Sequence, residues 1–317
     1  MSWNRPMTTG PRCIRRGWNS PRNPGECASH ARLVAIWAFL AAILAAQAVA
    51  AESKMFTLSV QEKRVDIGSG MTYGAWTYNG TVPGPVLRVK QGDEVTIHLI
   101  NDMQIAHGID MHAASMAPSK HFMPIPGKTE LKYTFRADAP GVFMYHCSAP
   151  PIVTHIANGM YGMMVVEPRA GWGEQAREVA IVQGEFYGEA DDKGFVAGNS
   201  QHMMDERPDL VVFNGAVERY VENPIQIKVG ELVRVFFVNA GPNRTSTFHL
   251  IGSMFSKVYR SGNPANTLYG LQSFEVGPGD GAVFEFRVHE AGDYPFVDHA
   301  IARAYKGAIG IFRAVEP

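Results

Sequence analysis

Leu87-Arg-Val-Lys-Gln-Gly-Asp-Glu-Val-Thr-Ile-His-Leu-Ile-Asn101 alternates apolar and polar residues, turns at Gly92-Asp93, and alternates again. That is the pattern of two strands around a turn. Ile225 to Asn239 repeats it as IQIKVGELVRVFFVN. Each copy follows an aromatic-Asn-Gly turn, Tyr78-Asn79-Gly80 and Phe213-Asn214-Gly215. A second block recurs further on: Phe135 to Tyr145 (FRADAPGVFMY) resembles Phe286 to Phe296 (FRVHEAGDYPF). A third pair is Gly159-Met-Tyr-Gly162 and Gly307-Ala-Ile-Gly310. Blocks repeated in one order point to an internal duplication.

Each copy holds many short strands, with frequent turn signals among 32 Gly and 20 Pro and few long helical patterns. The predicted fold class is therefore all-β, two tandem Greek-key β-sandwich domains. The junction falls near Pro168 to Gly173, giving domains over 51–170 and 171–317, with the next strand at Val179 to Val182. A short helix over Ala300 to Tyr305 is possible. A parallel βαβ architecture is disfavoured because no helix of ten or more residues separates the strands.

The chain has 317 residues, 46% hydrophobic and 19% charged, which excludes disorder. A formal net charge of −1 speaks against a broad nucleic-acid surface. Residues 1–32 carry six arginines against Glu26. The apolar run Leu33 to Ala48 follows, broken only by Gln47, and then an Ala48-x-Ala50 site. This is the layout of a secretory signal, so residues 1–50 are expected to be a cleaved leader and the mature chain periplasmic. Cleavage removes six of 29 basic and one of 30 acidic side chains, leaving a net of six negatives. No later stretch is apolar enough to span a bilayer. Of three cysteines only Cys147 remains, a lone thiol in an oxidising compartment that calls for burial, chemistry or a metal.

The histidines supply ligands for a metal. His107-Gly-Ile-Asp110-Met-His112, His146-Cys147 and His155-Ile-Ala-Asn-Gly-Met160 contain four of the ten histidines that survive cleavage. A thiolate, two imidazoles and a thioether form the ligand set of a blue-copper centre, here His107, Cys147, His155 and Met160. Each residue singly reads as ordinary core; the spaced set does not. Adjacent strand residues face opposite ways. If Cys147 faces into the first domain, His146 faces out and can hold a second metal, joined by His112. The third imidazole must come from elsewhere. The second domain has Asp298 in the repeat position of Cys147 and Ala308 in that of Met160, so it can build no blue-copper site. It keeps Phe248-His249 near the place of Met111-His112, and His299 after Asp298. One of these two histidines is expected to bind metal and the other to line the substrate pocket.

The pieces HGIDMH (107–112), MYHCSAPPIVTHIANGMYG (144–162), TFHLIG (247–252) and VDHAIARAYKGAIG (297–310) resemble the two-domain copper nitrite reductases. The resemblance covers about residues 55 to 315. It implies two cupredoxin domains per protomer and a homotrimer, with one type 1 and one type 2 copper per subunit. Type 1 copper would use His107, Cys147, His155 and Met160. Type 2 copper would use His112 and His146 of one subunit and His299 of its neighbour. Asp110 and His249 would be the catalytic pair, and Ile251 the apolar residue crowding the nitrite pocket. A periplasmic cytochrome c or a small cupredoxin would supply electrons. The chain departs from the best-known branch in three places. One residue is missing between Cys147 and His155, Ser253-Met254 replaces Gly-His, and Gln272-Ser273 stands where a Glu-Thr pair is expected near the catalytic histidine.

The implied reaction takes nitrite, one electron and two protons to nitric oxide and water, with electrons passing from type 1 to type 2 copper through Cys147-His146. Asp110 would deliver a proton to the leaving oxygen and His249 would relay the second. An ionised carboxylate there repels the anion, so activity is expected to favour mildly acidic conditions. Two rivals are a laccase-like multicopper oxidase and a non-enzymatic blue-copper carrier. The first needs about eight imidazoles, usually in His-x-His pairs, and the chain has none. The second would need neither His112, His146, His249 nor His299. His98, His121, His202 and His289 read as surface or structural residues, and Met203-Met204 as part of an exposed loop.

Overall fold

Period-two alternation, cut by glycine and proline, divides the chain into short strands throughout the residues described by the computed structural model, 51–317. The leader expected over residues 1–50 lies outside the described residues. The first half supplies β1 (Ser53–Gly68), β2 (Met71–Tyr78), β3 (Leu87–Lys90), β4 (Glu94–Asn101), β5 (Asp110–Met111), β6 (Thr129–Arg136), β7 (Gly141–His146) and β8 (Tyr161–Glu167). Two short helices interrupt them, α1 (Pro118–His121) and α2 (Ile152–Ala157). The second half supplies β9 (Arg177–Phe186), β10 (Phe195–Val196), β11 (Leu210–Phe213), β12 (Asn223–Lys228), β13 (Val233–Gly241), β14 (Ser246–Leu250), β15 (Phe255–Arg260), β16 (Thr267–Leu271), β17 (Ser273–Val276), β18 (Gly281–Phe286), β19 (Gly292–Asp298) and β20 (Ile309–Val315). Its short helices are α3 (Ser200–Met204), α4 (Arg219–Glu222) and α5 (Ile301–Ala304). No helix among the described residues is long and apolar enough to cross a membrane.

The duplication is written in the sheet orders. The first half pairs β2-β1-β4-β6 in one sheet and β3-β8-β7-β5 in the other. The second half repeats this as β11-β9-β13-β18 and β12-β20-β19-β14, with β15, β16 and β17 added at the edges. The small strand β10 pairs with β2 and so extends a sheet of the first half. The Asn-Gly turns repeat as well. Asn79 and Gly80 have φ of 56° and 77°, Asn214 and Gly215 of 50° and 80°, the left-handed pair that a tight hairpin turn demands. Each Asn side chain then accepts a backbone N–H at 2.7 Å, from Ser59 in one copy and Val182 in the other.

Leu87–Asn101 forms two strands about Gly92-Asp93, but they are not a hairpin. β3 pairs with β8, whereas β4 lies between β1 and β6 in the other sheet. The turn carries the chain across the sandwich, so the inward residues Leu87, Val89, Val95, Ile97 and Leu99 approach one core from two sides. The Met-Tyr-Gly block has its own cause. Gly162 lies opposite Tyr145 and Gly310 opposite Phe296. In each pair the aromatic ring lies across the glycine, and a Cβ there would come within 2.3 Å of Tyr145 and 2.2 Å of Phe296.

Three clusters of buried side chains hold the strands together. One fills the first sandwich and one, rich in Phe, fills the second; the third lies between the halves. Burying each such Phe contributes roughly 1.5–3 kcal/mol. β7 serves two of these clusters. Tyr145 and Cys147 enter the first core, while Val142 and Met144 face the cluster shared with the second half. His146 follows Met144 on that outer face, as strand alternation requires.

One sequence reading is corrected. Met203-Met204 is not an exposed loop: both residues belong to α3, where Met203 is buried against Ala157 and Tyr187 and only Met204 is exposed. Asn199 caps this helix by accepting from the His202 N–H, a local signal that the charged residues after it obscured. His121 and His202 lie on the short helices α1 and α3.

Candidate metal centres

The first centre is assembled from two loops, one strand end and one short helix. His107 is fixed by a two-way backbone bridge to Ile125. Cys147 follows β7 and donates its N–H to the Met160 carbonyl at 3.1 Å. α2 carries His155, and the Met160 N–H donates back to the His155 carbonyl at 3.2 Å. Asn158 ends α2, its side chain donating to Thr154 and accepting from Tyr73 Oη. All four candidate ligands are buried. Cys147 Sγ stands 3.2 Å from His155 Nδ1 and 3.8 Å from His107 Nδ1, and the two Nδ1 atoms are 3.1 Å apart. The N–H groups of Gly108 and Ala149 point at Sγ from 3.4 and 3.5 Å. The Trp76 ring lies 4.9 Å from the His155 ring and 5.4 Å from that of His107.

Burial sets the protonation of this cluster. It lowers the His107 imidazole to about 4, with His155 adding to the effect, and lowers His155 as well. Burial also pushes the Cys147 thiol up, partly offset by the Ala149 and Gly108 N–H groups. The imidazoles are thus neutral and the thiol keeps its proton until a cation displaces it.

The second cluster lies across β7. Asp110, His112 and His146 bring their ligand atoms within 4.8 Å of one another. Asp110 pairs with His146 in the β5–β7 ladder. His146 Nδ1–H donates to the Cys147 carbonyl at 2.9 Å, and His112 Nδ1–H donates to the Gly279 carbonyl of the second half at 3.0 Å. Both imidazoles therefore turn Nε2 inward, and those two atoms are 3.1 Å apart. Fixing one ring nitrogen on a carbonyl is the usual way to set the tautomer of a metal-binding histidine. Nitrogens held about 2.0–2.1 Å from one metal at a tetrahedral angle stand about 3.3 Å apart. The nitrogen pairs of both clusters fit that spacing.

His299 does not join His112 and His146 within the chain. Its ring lies 4.9 Å from that of His249, and it is exposed. His249 Nδ1–H donates to the Gln272 carbonyl at 2.6 Å, and the ladder sets His249 opposite Ser273. Gln272-Ser273 thus sits beside His249, as expected. Ile251 is exposed two residues further on. The repeat position of His249 needs correcting. His249 opposes Val297, and Asp110 opposes His146. Val297 pairs with Ile309 as His146 pairs with Tyr161. His249 therefore occupies the place of Asp110, two residues before that of His112; sequence spacing alone cannot fix a register that the ladder fixes.

A soft thiolate–imidazole set and an imidazole–carboxylate set, one peptide unit apart on two cupredoxin-like sandwiches, define a copper oxidoreductase with two kinds of centre. Residues 59–171 match the multicopper oxidase family. The copper-containing nitrite reductase of Neisseria meningitidis is 39% identical over 257 residues, covering 78% of this chain and 66% of that protein. The copper-containing nitrite reductase of Rhizobium sullae is 33% identical over 284 residues, covering 81% and 74%. The copper nitrite reductase structure from Nitrosomonas europaea superposes with a TM-score of 0.77 at 40% identity, covering 83% of this chain and 94% of that one. The chain belongs to the copper-containing nitrite reductase family. It carries the clusters for one type 1 copper, at His107, Cys147 and His155, and one type 2 copper, at His112 and His146 with Asp110 beside them. It spans just under two thirds of the length of the Neisseria relative.

Proposed function

We propose that the protein reduces nitrite by one electron to nitric oxide and water. The observation that carries this is the placement of two ligand clusters on opposite faces of β7, joined through the adjacent residues His146 and Cys147. When bound, the coppers supply one-electron storage at the thiolate set and a positive, open position for the anion at the imidazole set. Met160 would complete the first set as a thioether ligand, and His299 of a neighbouring copy would complete the second.

Asp110 lies within reach of both His112 and His146 and donates a hydrogen bond to the oxygen that leaves as water. The second proton comes by way of His249. Its Nδ1–H is committed to Gln272, so Nε2 is the atom that takes up and passes on a proton. Ile251, exposed two residues beyond His249, presents an apolar side chain that would limit how the anion can sit.

A homotrimer is supported by the separation of His299 from His112 and His146, and by exposed Ile251, Ile301 and Tyr305 in the chain segments that carry His249 and His299. A periplasmic cytochrome c or small cupredoxin is the proposed electron donor. The arginine-rich, then apolar, N-terminal sequence supports export to the periplasm. The test is nitric oxide release from nitrite with a reduced donor, on protein of measured copper content. Two coppers per subunit with nitric oxide formed is the expected result. Four coppers with oxygen consumption, or a blue protein that leaves nitrite untouched, overturns the reading.

A further inference from the structure

The second sandwich keeps the frame of a type 1 centre with other residues in it. Cys147 N–H donates to Met160 and Met160 N–H to His155; Asp298 N–H donates to Ala308 and Ala308 N–H to Arg303, each at 3.1 Å. The ladder that matches His249 to Asp110 sets Ser246, three residues earlier, in the place of His107. Ser246, Asp298, Arg303 and Ala308 thus stand where His107, Cys147, His155 and Met160 stand in the first sandwich.

These substitutes form a network. The Asp298 carboxylate is wholly buried and accepts Arg303 Nε at 2.6 Å, Arg303 Nη2 at 3.2 Å and Gln183 Nε2 at 2.9 Å. It also accepts the N–H groups of Thr247 at 3.2 Å and Ala300 at 3.1 Å. Ser246 Oγ donates to Gln183 Oε1 at 2.6 Å, closing the chain. Arg303 Nη2 ties α5 to the Thr245 carbonyl at 2.7 Å. Thr247 lies two residues before His249 and Ala300 one after His299, and His299 N–H donates to the Thr247 carbonyl at 2.8 Å. One carboxylate therefore fixes the backbone beside both imidazoles, within two residues of His249 and next to His299.

We infer that Asp298 and Arg303 are positioning residues for the type 2 centre: their ion pair fills the vacated type 1 frame and holds His299 and His249 at the spacing that a neighbouring copy requires. This rests on the reading above that His299 is a type 2 ligand. A buried carboxylate with five donors is intolerant of change. An amide in its place brings two N–H donors against groups that are themselves donors. Lysine at 303 keeps the charge but not the fork that reaches both carboxylate oxygens.

The experiment measures type 2 copper affinity and the type 2 electron paramagnetic resonance spectrum in Asp298→Asn, Arg303→Gln, Arg303→Lys and His299→Ala. The type 1 visible band reports folding in the same samples. Asp298→Asn and Arg303→Gln are expected to weaken type 2 copper binding about tenfold or more, and to alter its hyperfine splitting with the type 1 band intact. Arg303→Lys is expected to recover part of the loss. If Asp298→Asn lacks the type 1 band, Arg303→Gln decides, since that side chain is partly exposed. Wild-type affinity and spectrum in the folded variants, with copper lost from His299→Ala, overturns the positioning role alone. Retention of type 2 copper by His299→Ala overturns the ligand reading beneath it.

Discussion

Asp110 and His249 hold the same ladder position in the two sandwiches, one opposite His146 and the other opposite Val297. A duplicated strand thus presents a carboxylate in one copy and an imidazole in the other, and these are the two groups proposed to handle protons. Asp110→Asn and His249→Ala are expected to keep most of both coppers and to slow turnover by about 10²-fold or more, the usual contribution of a positioned acid. Steady-state nitrite reduction, with rapid-mixing reduction of the visible band as control, checks this. Full turnover with full copper in both variants would sink the proton-delivery pair.

A second expectation separates the two centres spectroscopically. Cys147 alone supplies sulfur to the buried cluster as a thiolate, and the type 2 set lies on the other face of β7. Cys147→Ala should abolish the intense visible absorption and keep a type 2 copper signal. Met160→Leu should keep the band but shift it and raise or lower the potential, since only the proposed thioether ligand is lost. An unchanged band in Cys147→Ala would place the thiolate centre elsewhere.

Gly108 offers a subtler probe. A Cβ there would lie 2.2 Å from Ser148 Oγ, and the Gly108 N–H points at Cys147 Sγ. Gly108→Ala must move Ser148 or its own peptide, at a cost of about 1–3 kcal/mol. The expected result is a lower unfolding midpoint together with a shifted thiolate band. A lower midpoint with an unchanged band would show that the peptide does not tune the sulfur.

Much of this was legible because strands and metal ligands both leave local patterns. The repeat of Leu87–Asn101 at Ile225–Asn239 announced a duplicated sandwich, and Cys147, His155 and Met160 lie close enough in sequence to read as one set. The strand period alone placed His146 and Cys147 on opposite faces. What escaped depends on long-range register. Alternation does not say that β3 and β4 part into different sheets, nor that His249 matches Asp110 rather than His112. The anchoring of His112 on Gly279 crosses 167 residues and runs through a backbone carbonyl, which has no signature in the side-chain sequence. The Asp298–Arg303 pair was invisible for a related reason. Asp298 was readable as the counterpart of Cys147, but Arg303 matches His155 only through the backbone bonds about Ala308.

Acid should weaken the copper-free protein in a defined window. An unfolded His107 takes a proton below its ordinary 6.5, whereas burial and His155 hold the folded one to about 4. The unfolded chain therefore binds more protons between these values. Stability is full above about 6.5 and is lost as pH falls toward 4. His155 and His146, also lowered by burial, act in the same sense. Urea unfolding of the copper-free protein should give a lower midpoint at pH 5 than at pH 7.5, and His107→Gln should reduce the difference. Equal dependence on pH in the variant would remove His107 from the account.

The sharing of the type 2 centre between copies can be tested without a structure of the assembly. His112 and His146 turn their Nε2 atoms toward one another on the first half, while His299 stands beside His249 on the second, outside that cluster. In a closed ring of three copies each site would draw His112 from one subunit and His299 from the next. His112→Ala and His299→Ala proteins should each be inactive and poor in type 2 copper. If they are dissociated, mixed in equal amounts and reassembled, about a quarter of the sites combine an intact His112 with an intact His299, for random placement in a ring. Activity and type 2 copper should return to that fraction, with the visible band unaffected throughout because His107, Cys147 and His155 come from one chain. Were the three imidazoles instead gathered within a single subunit, every subunit in the mixture would still lack one of them. No proportion of mixing could then restore turnover, so a mixture that stays inactive after verified subunit exchange decides against the shared site.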